Sequence, residues 1–488
     1  MNILFLNPPF MPGFSRASRS PAVTKGGTLY FPIWLAYATG MAEQAGHQVR
    51  LVDCAAARLD LPNLFIALGT WRPGLVVIDT STPSIVNDAQ VAADIKKQFP
   101  ETFTLLVGSH PSALPQESIA LHAAVDGAAL GEYDATVVDL AQALDQGLPL
   151  QGVPGLAYRM HDTILCNPRR PMLENLDALP FVAEVYAKHL RIEDYFFAAA
   201  NYPMVQIMTG RGCPHRCFFC VYPQTFHSRR YRVRSAANVV DEFAFIRDHL
   251  PQVREIGIED DCFTASPSHV RQICEELLAR QIHMKWYCNV RGDVSADLLH
   301  LMRRAGCRLV TVGFESGDQK ILDGMGKHAK LEKYQKFVRD ARQAGLLVHG
   351  CMMVGNPGDT RATVATSYQF AVQANCDSMQ FYPLFVYPGT EAYAWAVQNG
   401  YLKTTDFTRW LTPDGQHNCV LDTPELSAKE MVALCDYYLK KYHLRPRYLV
   451  MKLWQALCHP AEGYRSLLSA KTFFGRLFNR QDGNVCGD

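Results

Sequence analysis

The chain has 488 residues, enough for about three domains of ordinary size. Its 48 Lys+Arg against 47 Asp+Glu leave a formal charge of +1, a balance that excludes both a basic nucleic-acid-binding protein and an acidic tail, while 48% hydrophobic and 19% charged residues exclude wholesale disorder. Fifteen cysteines are too few for a disulfide-stapled scaffold, and with an odd total, no leader-like N-terminus and no apolar run near the ~18 residues of a membrane span, a reduced, cytoplasmic protein is expected.

The first apolar run, Asn2–Asn7, stops at Pro8-Pro9, as a buried strand does where it enters a loop. A helical stretch from about Pro32 to Ala45 leads to a strand over Gln48–Asp53. The runs Leu75–Asp79 and Phe103–Gly108 each follow a helical pattern, and Ala128–Leu130 precedes Gly131. Near-continuous apolar strands alternating with helices predict a doubly wound, Rossmann-like α/β domain over residues 1–145, with ligands beyond the carboxyl ends of the strands. Residues 146–197 carry the turn signals Val153-Pro154-Gly155 and Asn167-Pro168 and predict an ordered linker with a short hairpin. Six further strand and helix pairs fill 198–425, with strands near 204, 255, 285, 308, 346 and 378. They predict a partial (β/α)6 barrel of the TIM type whose working loops follow the strand ends. Residues 426–488 are purely helical, and their Leu, Tyr, Phe and basic residues, including Tyr437–Lys441, Arg445–Leu449 and Phe473–Phe478, predict a cap on the barrel mouth or, failing that, a peripheral membrane contact suited to a lipid-like substrate.

One constellation is sharp. In Thr209-Gly210-Arg211-Gly212-Cys213-Pro214-His215-Arg216-Cys217-Phe218-Phe219-Cys220, three thiols lie in the loop after the first barrel strand, spaced to turn toward one inorganic core. A four-iron cluster held by three cysteines keeps one iron open to a small molecule. Zinc is the competing assignment and would need His215 or His227 as a fourth ligand.

This loop resembles the signature of the radical S-adenosylmethionine (radical SAM) family, and the resemblance continues through Ile258–Thr264, Asn289-Val290-Arg291, Val312–Gly317, Met353–Gly358 and Tyr387–Glu391. It implies that Cys213, Cys217 and Cys220 hold a [4Fe-4S] cluster whose open iron binds S-adenosyl-L-methionine, and that reductive cleavage gives a 5′-deoxyadenosyl radical with electrons from a flavodoxin- or ferredoxin-type donor. It also implies that Glu315 and Ser316 lie near the methionine part of SAM, with Arg291 as carboxylate partner and Asp260 in the acidic loop beside them. The first domain is similar to the cobalamin-binding domain of the largest subgroup of that family. That likeness implies cofactor contacts at Pro8, Thr80, Ser81, Thr82, Gly108, Ser109, Gly131 and Glu132.

No histidine here stands in an Asp-x-His-x-x-Gly motif, so a cobalamin without a protein histidine beneath the cobalt is expected, and His110 is expected to be structural. The activity implied is methylation of an unactivated carbon of a small-molecule substrate. A non-methylating cyclase or ring-contraction enzyme is the alternative, and a non-catalytic cobalamin or redox sensor a distant third. Taken alone, the first domain's loops are weak signals, and a nucleotide- or flavin-binding sheet could show similar ones.

Overall fold

The computed structural model describes residues 1–24, 26–458, 462, 463, 465 and 466. The first sheet has seven strands: β1 (Asn2–Asn7), β2 (Gln48–Asp53), β3 (Leu75–Asp79), β4 (Phe103–Val107), β5 (Gly127–Ala129), β6 (Leu156–Met160) and β7 (Thr163–Cys166). Their order is β2-β1-β3-β4-β5-β6-β7, parallel from β2 to β5 and antiparallel in the last two pairs. All five residues of β3 are buried, as the unbroken run Leu75-Val76-Val77-Ile78-Asp79 requires of a strand covered on both faces. The chain leaves β1 for β2 on one side and returns to β3 on the other. That reversal opens a crevice between the ends of β1 and β3, where doubly wound sheets bind ligands. The hairpin expected in the linker joins this sheet as its antiparallel edge, so the sheet extends past residue 145.

The second sheet has six strands, β8 (Met204–Ile207), β9 (Glu255–Ile258), β10 (Trp286–Val290), β11 (Cys307–Glu315), β12 (Leu347–Val354) and β13 (Ser378–Pro383). They pair in chain order and all in parallel, as in an open barrel of β/α units. Several of the helices between them begin at side-chain caps: Ser235 accepts from Asn238 N, Ser266 from His269 N, and Thr360 closes a capping box with Thr363.

The helix Ile33–Gln44 is buried along nine of its twelve residues, because it packs between one face of the first sheet and the barrel. A single apolar core therefore runs from Ile3 and Phe5 through Trp34 and Tyr37 into Ile207 and Ile258, and a separate cluster fills the other face of the first sheet.

The C-terminal helices do not cap the mouth. Tyr442 donates to Cys376 O at 2.7 Å and Tyr448 to Asp377 O at 2.9 Å, both at the amino-terminal start of β13, so the helices Ala428–His443 and Pro446–Cys458 close the open edge and foot of the barrel. The mouth is covered instead by residues 401–421, where Phe407 packs edge-on against His110 at 4.7 Å and the Gly415 carbonyl accepts from Val23 N at 2.8 Å. The basic aromatic run Phe473–Phe478 lies outside the described residues. Among the described residues, no helix is long and apolar enough to cross a membrane.

Candidate functional site

The loop after β8 carries Cys213, Cys217 and Cys220, and all three line a cavity of about 1980 Å³ that enters the barrel. Its path is set by backbone bonds: Cys213 N donates to Ser228 O, Phe218 N to Met325 O, and Cys220 N to Cys217 O. Gly212 adopts φ +91°, and a Cβ there would stand 2.2 Å from Arg230 O, so the tight return of this loop requires glycine. Gln224 clamps the loop from within: its amide donates to Cys220 O at 2.8 Å and Phe218 O at 3.0 Å, while its carbonyl accepts from Glu391 N at 2.9 Å.

Burial pushes the Cys213 thiol up to about 12 and the Cys220 thiol well above its ordinary value, with the Asp261 carboxylate adding to both. A thiolate set here needs a cation to form. Among the described residues no three His, Cys, Asp or Glu side chains stand around one point as an assembled ion site. The donor set fits iron and sulfide better than zinc, because one of the two histidines that could complete a zinc site is spent: His227 lies with Nδ1 3.4 Å from Glu132 Oε1 and Nε2 3.0 Å from Asp261 Oδ2. His215 remains on the cavity wall, its basicity lowered to about 4 by burial and by Arg291.

Across the cavity, Glu315 sits at a register shift in β11 with φ +65°. Its Oε1 accepts from Lys327 Nζ at 2.7 Å, and Arg291 donates to the Lys327 carbonyl at 2.7 Å, so Glu315, Lys327 and Arg291 form one charged wall of the cavity. Lys327 escaped the sequence reading, although Gly326-Lys327-His328 follows the helix Gln319–Gly324 after its C-cap Met325.

Ser316 does not join this wall. It is buried against Ser367 Oγ at 3.1 Å and caps Asp318 N, a turn-forming role rather than a cavity-facing one. Asp260 lies on the cavity edge, but its carboxylate accepts from Thr209 N, Thr209 Oγ1 and Tyr231 OH at 2.6 to 2.7 Å, so it ties the cysteine loop to β9. Arg19, also missed, reaches from the first domain to the carbonyls of Glu259 and Asp260 at 2.9 and 3.0 Å.

The first domain meets the barrel at a narrow cleft lined by Thr80, Ser81, Thr82, Gly108 and Ser109 on one side and by Val221, Tyr222, Phe226 and Tyr387 on the other. It shares Arg19, Tyr222 and Tyr387 with the main cavity, which makes the two spaces neighbours. Gly108 has φ +121°, and a Cβ would meet Thr80 O at 2.3 Å, so glycine alone lets the β3 and β4 ends close up beneath the cleft. The cleft itself holds only about 30 Å³ of free space, so its bare backbone, Ser109 hydroxyl and Asp79 carboxyl would meet an amide-bearing edge of a broad ligand such as cobalamin and not its body.

Three expected cofactor contacts lie elsewhere. The Pro8 carbonyl accepts from Arg16 at 2.9 Å, Gly131 packs against Phe226 O, and Glu132 is consumed by Arg232, Arg211 and His227. Arg211 in turn pairs with Asp134 at 2.7 Å and stacks over Trp34 and Tyr37 at 4.5 and 4.9 Å. This buried network is the bolt between the domains. His110 is structural as expected: buried, 3.1 Å from Thr82 Oγ1, and held neutral by burial, which lowers it to about 3.

A Rossmann-like domain feeding an open six-stranded barrel, with three thiols in the loop after the first barrel strand, defines the class of two-domain enzymes that set a cobalamin module before a radical SAM core. Residues 19–141 match the B12 binding domain and residues 207–371 the Radical SAM superfamily. The chain belongs to the cobalamin-binding radical SAM family. It is 27% identical to an uncharacterized methyltransferase of Pyrococcus horikoshii, over 93% of this chain and 95% of that one. It is also 26% identical to the anaerobic magnesium-protoporphyrin IX monomethyl ester cyclase of Rubrivivax gelatinosus, over 77% of this chain and 66% of that one. Among solved structures, the radical S-adenosylmethionine methyltransferase TsrM from Kitasatospora setae, with cobalamin and a [4Fe-4S] cluster bound, superposes with a TM-score of 0.72 at 17% identity, covering 97% of this chain and 99% of that one.

Proposed function

We propose that the chain methylates an unactivated carbon of a small-molecule substrate, using a [4Fe-4S] cluster, S-adenosyl-L-methionine and cobalamin, with electrons from an external flavodoxin- or ferredoxin-type donor. The observation that carries this reading is the junction of two spaces: the three-thiol cavity and the strand-end cleft share Arg19, Tyr222 and Tyr387. When bound, the cluster with SAM supplies hydrogen-atom abstraction and cobalamin supplies a transferable methyl group.

The protein's part is placement. Cys213, Cys217 and Cys220 would hold the cluster. The Glu315 carboxylate would accept from the SAM ammonium and the Arg291 guanidinium would present its fork to the SAM carboxylate, with Lys327 orienting Glu315. Tyr30, Met353, Phe381, Tyr382 and Phe385 on the cavity wall would keep water from the reacting carbon.

The deciding experiment is an anaerobic incubation of cluster- and cobalamin-loaded protein with reductant, methyl-labelled SAM and candidate substrates. Deoxyadenosine, S-adenosylhomocysteine and a labelled product support methyl transfer. Deoxyadenosine without S-adenosylhomocysteine would move the assignment to the cyclase type. Deoxyadenosine formed after Cys213, Cys217 and Cys220 are all replaced by Ala would overturn the cluster assignment.

A further inference from the structure

Five polar side chains line the interdomain cleft at the ends of β3 and β4: Asp79, Thr80, Ser81, Thr82 and Ser109. Three are already bonded inward. Thr80 Oγ1 donates to Asp88 at 2.7 Å, Ser81 Oγ lies 2.9 Å from Ser84 Oγ, and Thr82 Oγ1 lies 3.1 Å from His110 Nδ1. Among the described residues, Asp79 and Ser109, which flank Gly108 across the β3–β4 pair, make no hydrogen bond to another side chain.

Asp79 is only 9% exposed. The nearest cation does not pair with it, because the Arg16 guanidinium is divided among Asn7, the Pro8 carbonyl, Ser84 and Asp88. The titratable groups facing Asp79 are Arg16 from the loop after β1, Asp53 from β2, Asp88 from the helix Ile85–Gln98, Tyr133 ahead of the helix Asp134–Gln146, and Tyr222 from the turn after the cysteine loop. Burial is the largest influence and raises Asp79. Arg16 and the Thr80 amide oppose it while Asp88 and Asp53 reinforce it, and the balance leaves the group at about 7. A buried carboxyl without a counter-charge is held as a neutral acid more readily than as an anion.

A neutral carboxylic acid and a primary amide pair through two hydrogen bonds: the acid O–H donates to the amide oxygen, and the amide N–H donates to the acid carbonyl. A carboxylate keeps only the second. The corrin periphery of cobalamin carries primary amides. We propose that Asp79, as a neutral acid, grips a side-chain amide of cobalamin across the cleft, with the Ser109 hydroxyl beside it as a second contact. This rests on the cobalamin-dependent function proposed above. It makes Asp79 a cofactor-binding residue that also renders retention of the cofactor dependent on pH.

The test is titration of the full-length, cluster-loaded protein with methylcobalamin, followed by its visible absorption in the dark between pH 6 and pH 9. The wild-type dissociation constant is expected to rise as pH passes the Asp79 midpoint and to level off no more than about tenfold higher, since the carboxylate keeps one of the two bonds. Asp79→Asn presents an amide of the same shape, so it should bind within about threefold of wild type at pH 6 and lose the pH slope. Asp79→Ala should bind about tenfold more weakly at pH 6. A wild-type slope retained in Asp79→Asn, or undiminished affinity in Asp79→Ala, overturns the assignment. If Asp79→Ala fails to fold, the slope comparison with Asp79→Asn still decides. Wild type that binds with the same affinity at every pH sinks this proposal alone, whereas wild type that binds no methylcobalamin sinks the cobalamin-dependent reading beneath it.

Discussion

Lys327 Nζ stands 2.7 Å from Glu315 Oε1, in a pair whose side chains are only 8% and 11% exposed. Glu315 is a non-glycine residue at φ +65°, a backbone state that costs about 1–3 kcal/mol and persists only where its surroundings enforce it. Lys327 supplies that enforcement. Its own ammonium is held charged by Glu315 against the opposing pull of burial.

Replacing Lys327 with Met should therefore disturb Glu315 more than it disturbs the cluster. The expected outcome is a SAM dissociation constant raised about tenfold or more with iron content unchanged, together with about 3–5 kcal/mol lost from the unpaired buried carboxylate. Equilibrium dialysis with SAM, iron analysis and denaturant unfolding check the three parts. Parallel loss of iron would show instead that Lys327 supports the cysteine loop.

Gly212→Ala tests the loop itself. The added methyl would stand 2.2 Å from Arg230 O, and the φ of +91° is unfavourable for alanine, so the return strand must move. We expect iron loading after anaerobic reconstitution to fall below half of wild type, while far-ultraviolet circular dichroism stays the same because the barrel strands do not depend on this turn.

The bolt between the domains should respond to pH through His227. Burial alone would lower this histidine, but Asp261 and Glu132 outweigh it and raise it above its ordinary value. A group raised on folding contributes stability that is fully present below its unfolded value of about 6.5 and is lost as pH rises through the folded value. Glu132 is depressed, since its arginine and histidine partners outweigh its own burial, so its contribution is lost only in acid. His227→Gln should accordingly lower the melting temperature at pH 6 and do so much less at pH 9. Thermal unfolding at the two pH values checks this, and an equal drop at both would mean that packing against Trp34 and Phe226, not charge, sets its contribution.

The strands were legible because buried parallel strands carry unbroken apolar runs, whereas the caps Ser235, Ser266 and Thr360 that start three of the helices went unread in the sequence. The spacing of the three cysteines marked them as one group of thiols, with iron–sulfur and zinc both open until the family resemblance favoured the cluster. What pattern does not carry is the direction in which a polar side chain turns. Ser316 follows Glu315 directly yet faces Ser367, and Glu132 follows Gly131 yet meets two arginines that lie about 80 to 100 residues away in the chain. Thr80 and Thr82 had the right chemistry for a ligand, but Asp88 and His110, brought in by folding, claim their hydroxyls first. Lys327, Arg19 and Gln224 act through contacts that no local motif announces.

Gln224 gives the last test, because it supports the cluster loop without presenting a ligand to it. One amide group donates to Cys220 O and Phe218 O and accepts from Glu391 N, so it holds the thiol loop to the start of the helix Glu391–Gln398 on the far side of the mouth. In Gln224→Leu the volume is nearly kept, but Cys220 O and Glu391 N lose this partner, while Phe218 O keeps its bond from Ala392 N. Each unsatisfied group costs about 1–3 kcal/mol where water cannot replace it. The cysteines remain, so the cluster should still assemble, with its characteristic absorption, but it should be lost to a chelator about tenfold faster than from wild type. Gln224→Glu keeps the bond from Glu391 N and loses both donations, and it should fall between the two if the clamp acts through its hydrogen bonds. Equal chelation rates in all three proteins would show that the loop is held by Gly212 and its backbone bonds alone.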